Sequence, residues 1–387
     1  MQAAELKKGI YWVGAIDWSL KEFHGYLTQK GTTYNAYLII DEKIVLIDTV
    51  KDCCKSEMLS RIESVINPSK IDIVISNHSE MDHSGSLPDI MNICKNAKLV
   101  CSPNGEKNLK EQFGDVNWDF HIVKTGDKIN IGKRNLSFVL TQMVHWPDSM
   151  ATYVEEEKLL LPNDTFGQHI ASYERFDDQY NEGIIFEEAK KYFANIMMPY
   201  ASQIIKAMSE LEKLDTEMIA PSHGLIWRKN PEVILNAYKH WENSETKNKA
   251  VIVFDSMWGS TKKMAYAIYK AFEKKQILVQ IRDLKAYHIS DIMTEIVDAK
   301  YICVGSPTLN NTMLPTAASF LCYLKGLKPK NRIGLSFGSY GWGGQSVDEI
   351  QQAFEFLNYQ IMDPIKFLYV PKEKDLQNIM QDLIKKL

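Results

Sequence analysis

Beyond a wholly polar stretch, Asn243-Ser244-Glu245-Thr246-Lys247-Asn248-Lys249, the chain repeats a strand followed by a helix five times, and few folds accommodate that repetition. The strands read as Ala250–Phe254, Leu278–Arg282, Tyr301–Val304, Arg332–Phe337 and Ile365–Val370. Helices follow from Thr261, Ser290, Pro315, Gln345 and Lys374. Short buried strands alternating with helices specify a parallel sheet wound on both faces. The polar stretch has no periodicity and reads as a linker.

Before it the pattern differs. From Gly9 to about Leu161, short strands dominate: Ile10–Ile16, Tyr34–Ile40, Ile44–Asp48, Ile71–Ser76, Leu99–Ser102, Phe120–Lys124, Leu136–Thr141, Thr152–Val154 and Lys158–Leu161. Helical stretches fall at Lys55–Val65, Ser84–Lys95 and Asn104–Phe113. Residues 184–214 read as helical with Pro199 breaking the run, and Glu217–Ala220 reads as a last short strand. Many strands with few helices predict two stacked sheets with helices outside. The 387 residues thus divide into domains at 1–248 and 249–387.

Composition excludes several classes. Lys+Arg is 45 and Asp+Glu 49, so the formal net charge of −4 gives no polybasic surface for nucleic acid or anionic membrane. Apolar runs are strand-sized and Met1 to Lys8 is polar, which predicts a cytoplasmic protein without a membrane span. Six cysteines, Cys53, Cys54, Cys94, Cys101, Cys303 and Cys322, include no CxxC pair and read as reduced thiols.

The strand Ile71–Ser76 runs into Asn77-His78-Ser79-Glu80-Met81-Asp82-His83-Ser84-Gly85. On an extended backbone His78, Glu80 and Asp82 project to one side. His83, where the chain turns into a helix, approaches from another direction. Further ligand types sit at other strand ends: His145 before Trp146-Pro147, Asp164 in Pro162-Asn163-Asp164-Thr165 and His223 in Pro221-Ser222-His223-Gly224. A single histidine beside a turn is more often a hydrogen-bonded surface residue. The spaced cluster is what makes a metal the better reading.

In the second half, Val251–Phe254 leads into Asp255-Ser256-Met257-Trp258-Gly259-Ser260-Thr261 and a helix. Hydroxyls and backbone N–H groups at a helix start form an anion cradle, although the same loop alone could be an ordinary N-cap. Neither GxxxxGK[ST] nor GxGxxG is present, which removes support for ATP and dinucleotides. Two more strand-end loops, Gly305-Ser306-Pro307-Thr308-Leu309-Asn310-Asn311-Thr312 and Gly338-Ser339-Tyr340-Gly341-Trp342-Gly343-Gly344, fit a planar ring, with glycines for close approach and Trp342 for stacking.

The HxExDH cluster and the three later positions resemble the metallo-β-lactamase fold, an αββα sandwich, and specifically its flavodiiron (A-type flavoprotein) branch. The hydrolase version reads HxHxDH. Glu80, in place of the second histidine, makes a harder, more anionic site that suits iron better than zinc. The resemblance implies His78, Glu80 and His145 on one iron, Asp82, His83 and His223 on the other, and Asp164 bridging. It further implies that His24, Tyr26 and His169 line the pocket, while Tyr192-Phe193 read as core.

The three loops of the second half resemble the FMN site of flavodoxin. Ser256, Met257, Trp258, Gly259, Ser260 and Thr261 would hold the phosphate. Pro307, Thr308, Leu309, Asn310 and Asn311, with Ser339, Tyr340, Gly341, Trp342 and Gly343, would hold the isoalloxazine. The flavodiiron family joins these two domains in this order, and no CxxC pair follows residue 371 as a fused rubredoxin module would require.

The implied activity is reduction of dioxygen to water, of nitric oxide to nitrous oxide, or of both. The implied donor is rubredoxin, a reduced deazaflavin or an NAD(P)H-linked reductase. A head-to-tail homodimer, or a dimer of dimers, would set one chain's FMN against the other chain's irons. The rival readings are a metal-dependent hydrolase with an accessory flavodoxin domain and an electron carrier with a vestigial metal site.

Overall fold

The computed structural model describes residues 1–114 and 116–387. It divides into two compact units, Met1–Tyr192 with Tyr200–Lys239, and Phe193–Pro199 with His240–Leu387. The first unit holds two sheets. One has seven strands in the spatial order Ala4–Lys7, Ile10–Trp12, Tyr37–Ile40, Ile44–Ile47, Ile73–Ile75, Lys98–Cys101 and Asp119–Ile122. The other has five: Lys128–Asn130, Asn135–Leu140, Met150–Val154, Leu159–Leu161 and Met218–Ile219.

Strand alternation explains the layering. Ile39, Val45, Ile47, Ile73 and Ile75 pack against Phe138, Met150, Val154 and Leu159 of the facing sheet. The intervening Leu38, Leu46 and Val74 pack the other way, with Met58, Ile62, Ile90 and Leu109 from helices. Each such buried side chain contributes about 1.5–3 kcal/mol. Both faces of the larger sheet are therefore covered, and the αββα sandwich expected from the strand pattern is present.

Several expected elements are divided. Ile10–Ile16 becomes Ile10–Trp12 and Ala15–Asp17, the latter pairing with Thr32–Tyr34 outside the main sheet. Gly14 marks the break: a Cβ there would lie 2.1 Å from the Tyr34 carbonyl. Ser84–Lys95 is two helices, Met81–Ser84 and Leu87–Ile93, and Pro88 opens the second. Around Pro199 the helices Glu182–Tyr192 and Ala201–Leu211 are joined by a π-helical turn, Phe193–Met197, and a 3₁₀ turn. The helix Glu232–Glu242 was not anticipated.

The supposed linker is only partly irregular, because Lys247–Phe254 is already a strand. Lys249 is buried there, with its ammonium donating to Asp298 Oδ1 at 2.9 Å and to the Glu295 carbonyl at 2.7 Å. A satisfied buried cation let a polar residue join a strand.

In the second unit the sheet is parallel throughout. Its order is Leu278–Asp283, Lys247–Phe254, Ala299–Gly305 and Ile333–Tyr340, with Gln360–Ile361 and Ile365–Leu368 both pairing with the last. Strand order reverses at Lys247–Phe254, so the carboxyl ends of that strand and its neighbour Ala299–Gly305 flank a switch-point crevice. Ile252, Phe254 and Phe337 fill the core with Met264, Ile268 and Phe272 of the helix Ser260–Lys274. Among the described residues no helix is long and apolar enough to cross a membrane.

Candidate metal centre and flavin cleft

All seven ligand-type residues of the first unit converge. His78, Glu80, His145 and Asp164 form one group and Asp82, His83 and His223 another, with the candidate ligand atoms of each group within 4.8 Å of one another. Asp164 faces both. Its Oδ2 lies 3.1 Å from His145 Nε2 and 3.6 Å from His78 Nε2. Its Oδ1 lies 3.0 Å from His83 Nε2 and 3.5 Å from His223 Nε2. Glu80 Oε2 reaches His145 Nε2 at 3.2 Å, and Asp82 Oδ2 reaches His223 Nε2 at 3.2 Å.

The placement of Asp82 corrects one step of the sequence reading. The strand stops at Ile75, and Asp82 lies in the helical turn Met81–Ser84 beside His83. Helical backbone separates it from His78 and Glu80, so these three do not share one face.

Neighbouring buried groups set the ring orientations. Asp148 Oδ2 lies 3.2 Å from His78 Nδ1 and accepts the Ser79 N–H at 2.6 Å. His223 Nδ1 donates to the Thr33 carbonyl at 2.7 Å. The Nε2 atoms are thereby turned toward the carboxylates. Asp48 pins the strand ends, accepting from Asn77 N at 2.8 Å, Asn77 Nδ2 at 3.1 Å and Asn163 Nδ2 at 3.2 Å.

The donor chemistry fits a pair of cations. Both oxygens of Asp82, Oδ2 of Asp164 and both nitrogens of His83 are buried and make no hydrogen bond, although several lie within ion-pair distance of one another. Unpaired buried polar atoms are costly unless a ligand takes them up. Burial favours a neutral His83, yet Asp82 and Asp164 outweigh it and lift its pKa to about 9. Burial also raises the Asp164 carboxyl, but His83, His145 and His78 hold it well below the usual carboxylate range. With neutral imidazoles the three carboxylates leave an anionic cluster that two metal ions would balance.

The three expected pocket residues surround this cluster. His24, largely exposed at the tip of a hairpin, places Nε2 3.3 Å from Glu80 Oε1. His169 is buried, with Nδ1 2.8 Å from Thr32 Oγ1, Nε2 without a hydrogen bond, and its ring 4.9 Å from that of His223. Burial and His223 hold its pKa well below normal. Tyr26 packs 5.3 Å from His169.

Tyr192 departs from the core reading. Its ring lies 5.1 Å from His169 and 6.0 Å from His223, and its hydroxyl pKa is raised by burial and by Asp164, Tyr238, Asp82 and Glu80. It forms part of the wall of the site. Phe193, by contrast, packs 5.3 Å from Trp241. Asp148 was missed and Tyr192 was read as core because neither carries a local spacing signal.

In the second unit a cleft of about 510 Å³ opens at the strand ends. It is lined by Met257, Trp258 and Ser260, by Pro307–Asn311 and by Ser339–Gly343, together with Tyr369 and Val370, which the sequence reading missed. Ser256, Gly259 and Thr261 do not line it. The Ser256 hydroxyl accepts the Gly259 N–H at 3.0 Å, and the Thr261 hydroxyl lies 3.0 Å from that of Ser339, so both stiffen the loops.

Asn310 and Asn311 have φ of 52° and 61° between the bridged Leu309 and Thr312, the turn chemistry that Asn tolerates best. Thr308 N–H donates to the Ser339 carbonyl at 3.0 Å and ties the second loop to the third. Trp258 and Trp342 are 93% and 91% exposed, leaving two aromatic faces open at the rim. A polar helix start below open aromatic faces fits a phosphate and a planar ring.

Comparison with known proteins agrees with both halves. Residues 32–224 match the family model described as ODP family beta lactamase, and residues 252–381 match flavodoxin. The chain is 44% identical over 382 residues to the nitric oxide reductase of Moorella thermoacetica, covering 97% of this chain and 96% of that one. Its fold superposes on rubredoxin oxygen:oxidoreductase from Desulfovibrio gigas with a TM-score of 0.96 at 41% identity, covering 100% and 98% of the two chains. For the flavodiiron protein of Giardia intestinalis the TM-score is 0.97 at 33% identity, covering 100% and 96%. The chain belongs to the flavodiiron protein family, with a metallo-β-lactamase-like first domain and a flavodoxin domain after it.

Proposed function

We propose that this chain is an oxidoreductase that reduces dioxygen to water, nitric oxide to nitrous oxide, or both, at a non-haem diiron centre supplied with electrons by FMN. The observation that carries the proposal is Asp164, whose two oxygens face two separate ligand groups. His78, Glu80 and His145 would hold one ion, Asp82, His83 and His223 the other, and Asp164 both. When bound, the two irons supply open coordination positions and a pair of electrons for a diatomic gas, and FMN carries electrons singly or in pairs. We assign the metal centre to residues 1–248 and the flavin to residues 249–387.

The rest is the work of this chain's own residues. Asp148 and the Thr33 carbonyl keep the His78 and His223 rings aimed inward. His169, Tyr26 and Tyr192 wall the pocket and exclude bulk water, and His24 stands at its exposed edge. Ser260 and the helix start would take the phosphate, while Trp342 offers its face to the ring. Ser260→Ala should weaken FMN binding about tenfold, the value of one hydrogen bond to a charged group, and leave iron content unchanged. Flavin titration of the apoprotein measures it.

A second copy of the chain is the partner we infer for the flavin rim, where Trp258, Trp342, Tyr369 and Val370 are exposed together. A head-to-tail homodimer, or a dimer of dimers, would cover it. Sedimentation at micromolar concentration should show no monomer. The donor is a separate carrier: rubredoxin, a reduced deazaflavin or an NAD(P)H-linked reductase. A cytoplasmic setting agrees with six free cysteines.

The deciding experiment is anaerobic stopped-flow of the fully reduced protein against each gas, following flavin reoxidation. Reoxidation by either gas supports the proposal. Bound zinc with esterase or lactamase turnover would overturn it in favour of a hydrolase.

A further inference from the structure

We infer that Glu188 is the proton entry to the metal centre, taking protons from the solvent side and passing them through Lys191 toward Tyr26 and His169. The inference rests on the reductase function proposed above. Reduction of dioxygen to water consumes four protons, and reduction of two nitric oxide molecules to nitrous oxide and water consumes two. The carboxylates inside the pocket would be occupied by metal. Protons therefore need a route built from groups that hold none.

Glu188 lies in the helix Glu182–Tyr192, 4% exposed, well away from the seven ligands in sequence. Its Oε1 pairs with Lys30 Nζ at 3.2 Å, and the Lys30 side chain is 37% exposed, so one end of the track meets solvent. Its Oε2 is buried and makes no hydrogen bond. A carboxylate kept only for an ion pair is expected to have both oxygens satisfied. An open buried oxygen is where a proton can be added.

One turn along the same helix, Lys191 is also buried. Its ammonium donates to Gln29 Oε1 at 2.6 Å and lies 5.5 Å from the centre of the Tyr26 ring. Tyr26 packs 5.3 Å from His169, which forms the pocket wall. The line Lys30, Glu188, Lys191, Tyr26, His169 thus runs from surface to pocket within one unit. Burial raises the Glu188 carboxyl toward neutrality. Lys191 and Lys30 pull it down without cancelling the rise, and Glu187 adds to it.

The transfer balances without a further reactant. A solvent proton forms the O–H bond of the Glu188 carboxyl. Lys191 gives an N–H proton inward, where the oxygen atoms released in the reduction take it up as water, and is refilled from that carboxyl, so one proton moves from solvent to product and both groups return to their starting states. Glu188 touches no substrate. It acts through the groups that follow it.

The test uses the metal- and flavin-loaded protein. Glu188→Gln keeps the shape and cannot carry a proton. Single-turnover flavin reoxidation by excess gas should slow about tenfold or more, at the low end of general acid–base effects. In the wild type the rate should fall as pH rises through the Glu188 pKa, because the protonated acid is the donor. That fall should be absent in Glu188→Gln, reappear in Glu188→Asp, and move to higher pH in Lys30→Met, where the cation that lowers the carboxyl is gone.

Unchanged rates and pH profile in Glu188→Gln, with only a lower melting temperature, would overturn the inference and leave a structural ion pair. If Glu188→Gln does not fold, Lys30→Met decides, and an unmoved profile overturns the inference. A loaded wild-type protein inert to both gases would instead refute the reductase function itself.

Discussion

Asp164→Ala should empty both halves of the metal centre at once while leaving FMN bound. Asp164 faces both groups, with Oδ1 3.0 Å from His83 Nε2 and Oδ2 3.1 Å from His145 Nε2. With the ligand roles proposed above, removing it would take a ligand from each ion and leave four imidazoles facing only Glu80 and Asp82. Residues that merely orient a ligand typically cost 10–100-fold in metal affinity, so a shared ligand should cost at least about 100-fold. Iron analysis against flavin absorbance reads the result directly. Full iron occupancy in Asp164→Ala would mean that the carboxylate does not bridge.

Gly224→Ala should strongly destabilise the first unit. Gly224 has φ of +77°, and an added Cβ would lie 1.6 Å from Gln168 Oε1 and 2.3 Å from the Gln168 carbonyl. Gln168 cannot move aside freely. Its Oε1 accepts the Leu225 N–H at 2.5 Å, and its Nε2 donates to the Leu225 carbonyl at 3.0 Å. The Gly224 N–H is itself held by Thr33 Oγ1 at 2.7 Å.

A left-handed non-glycine residue costs about 1–2 kcal/mol and overpacking a further 1–3. A loss of about 3 kcal/mol corresponds to roughly 6–12 °C in melting temperature for a unit of this size. Because His223 is the preceding residue, iron at the Asp82 group should fall in parallel while flavin stays bound. Melting within about 2 °C of wild type would contradict the argument.

Some features of the site were legible because they are local. His78, Glu80, Asp82 and His83 fall within six positions after a buried strand, and the three flavin loops each follow a strand of one parallel sheet. Others were not. The alternation rule placed Asp82 with His78 and Glu80, but the strand ends at Ile75 and a helical turn begins at Met81, so backbone conformation regrouped the ligands. Asp148 and Tyr192 reach the site from distant segments. The Ser256 hydroxyl accepts the Gly259 N–H and the Thr261 hydroxyl lies 3.0 Å from that of Ser339, contacts that the loop sequence does not reveal.

From sequence alone came the residue types and the fold class, because strand and helix periodicities and strand-end motifs are short-range properties of the chain. The grouping of the ligands and the bridging place of Asp164 came from the family resemblance and not from periodicity, while tertiary structure alone decided that Asp148 and Tyr192 reach the site and that Glu188 is buried beside Lys30. Those depend on distances between residues far apart in the chain, which only packing of the two sheets and their helices brings within a few ångströms.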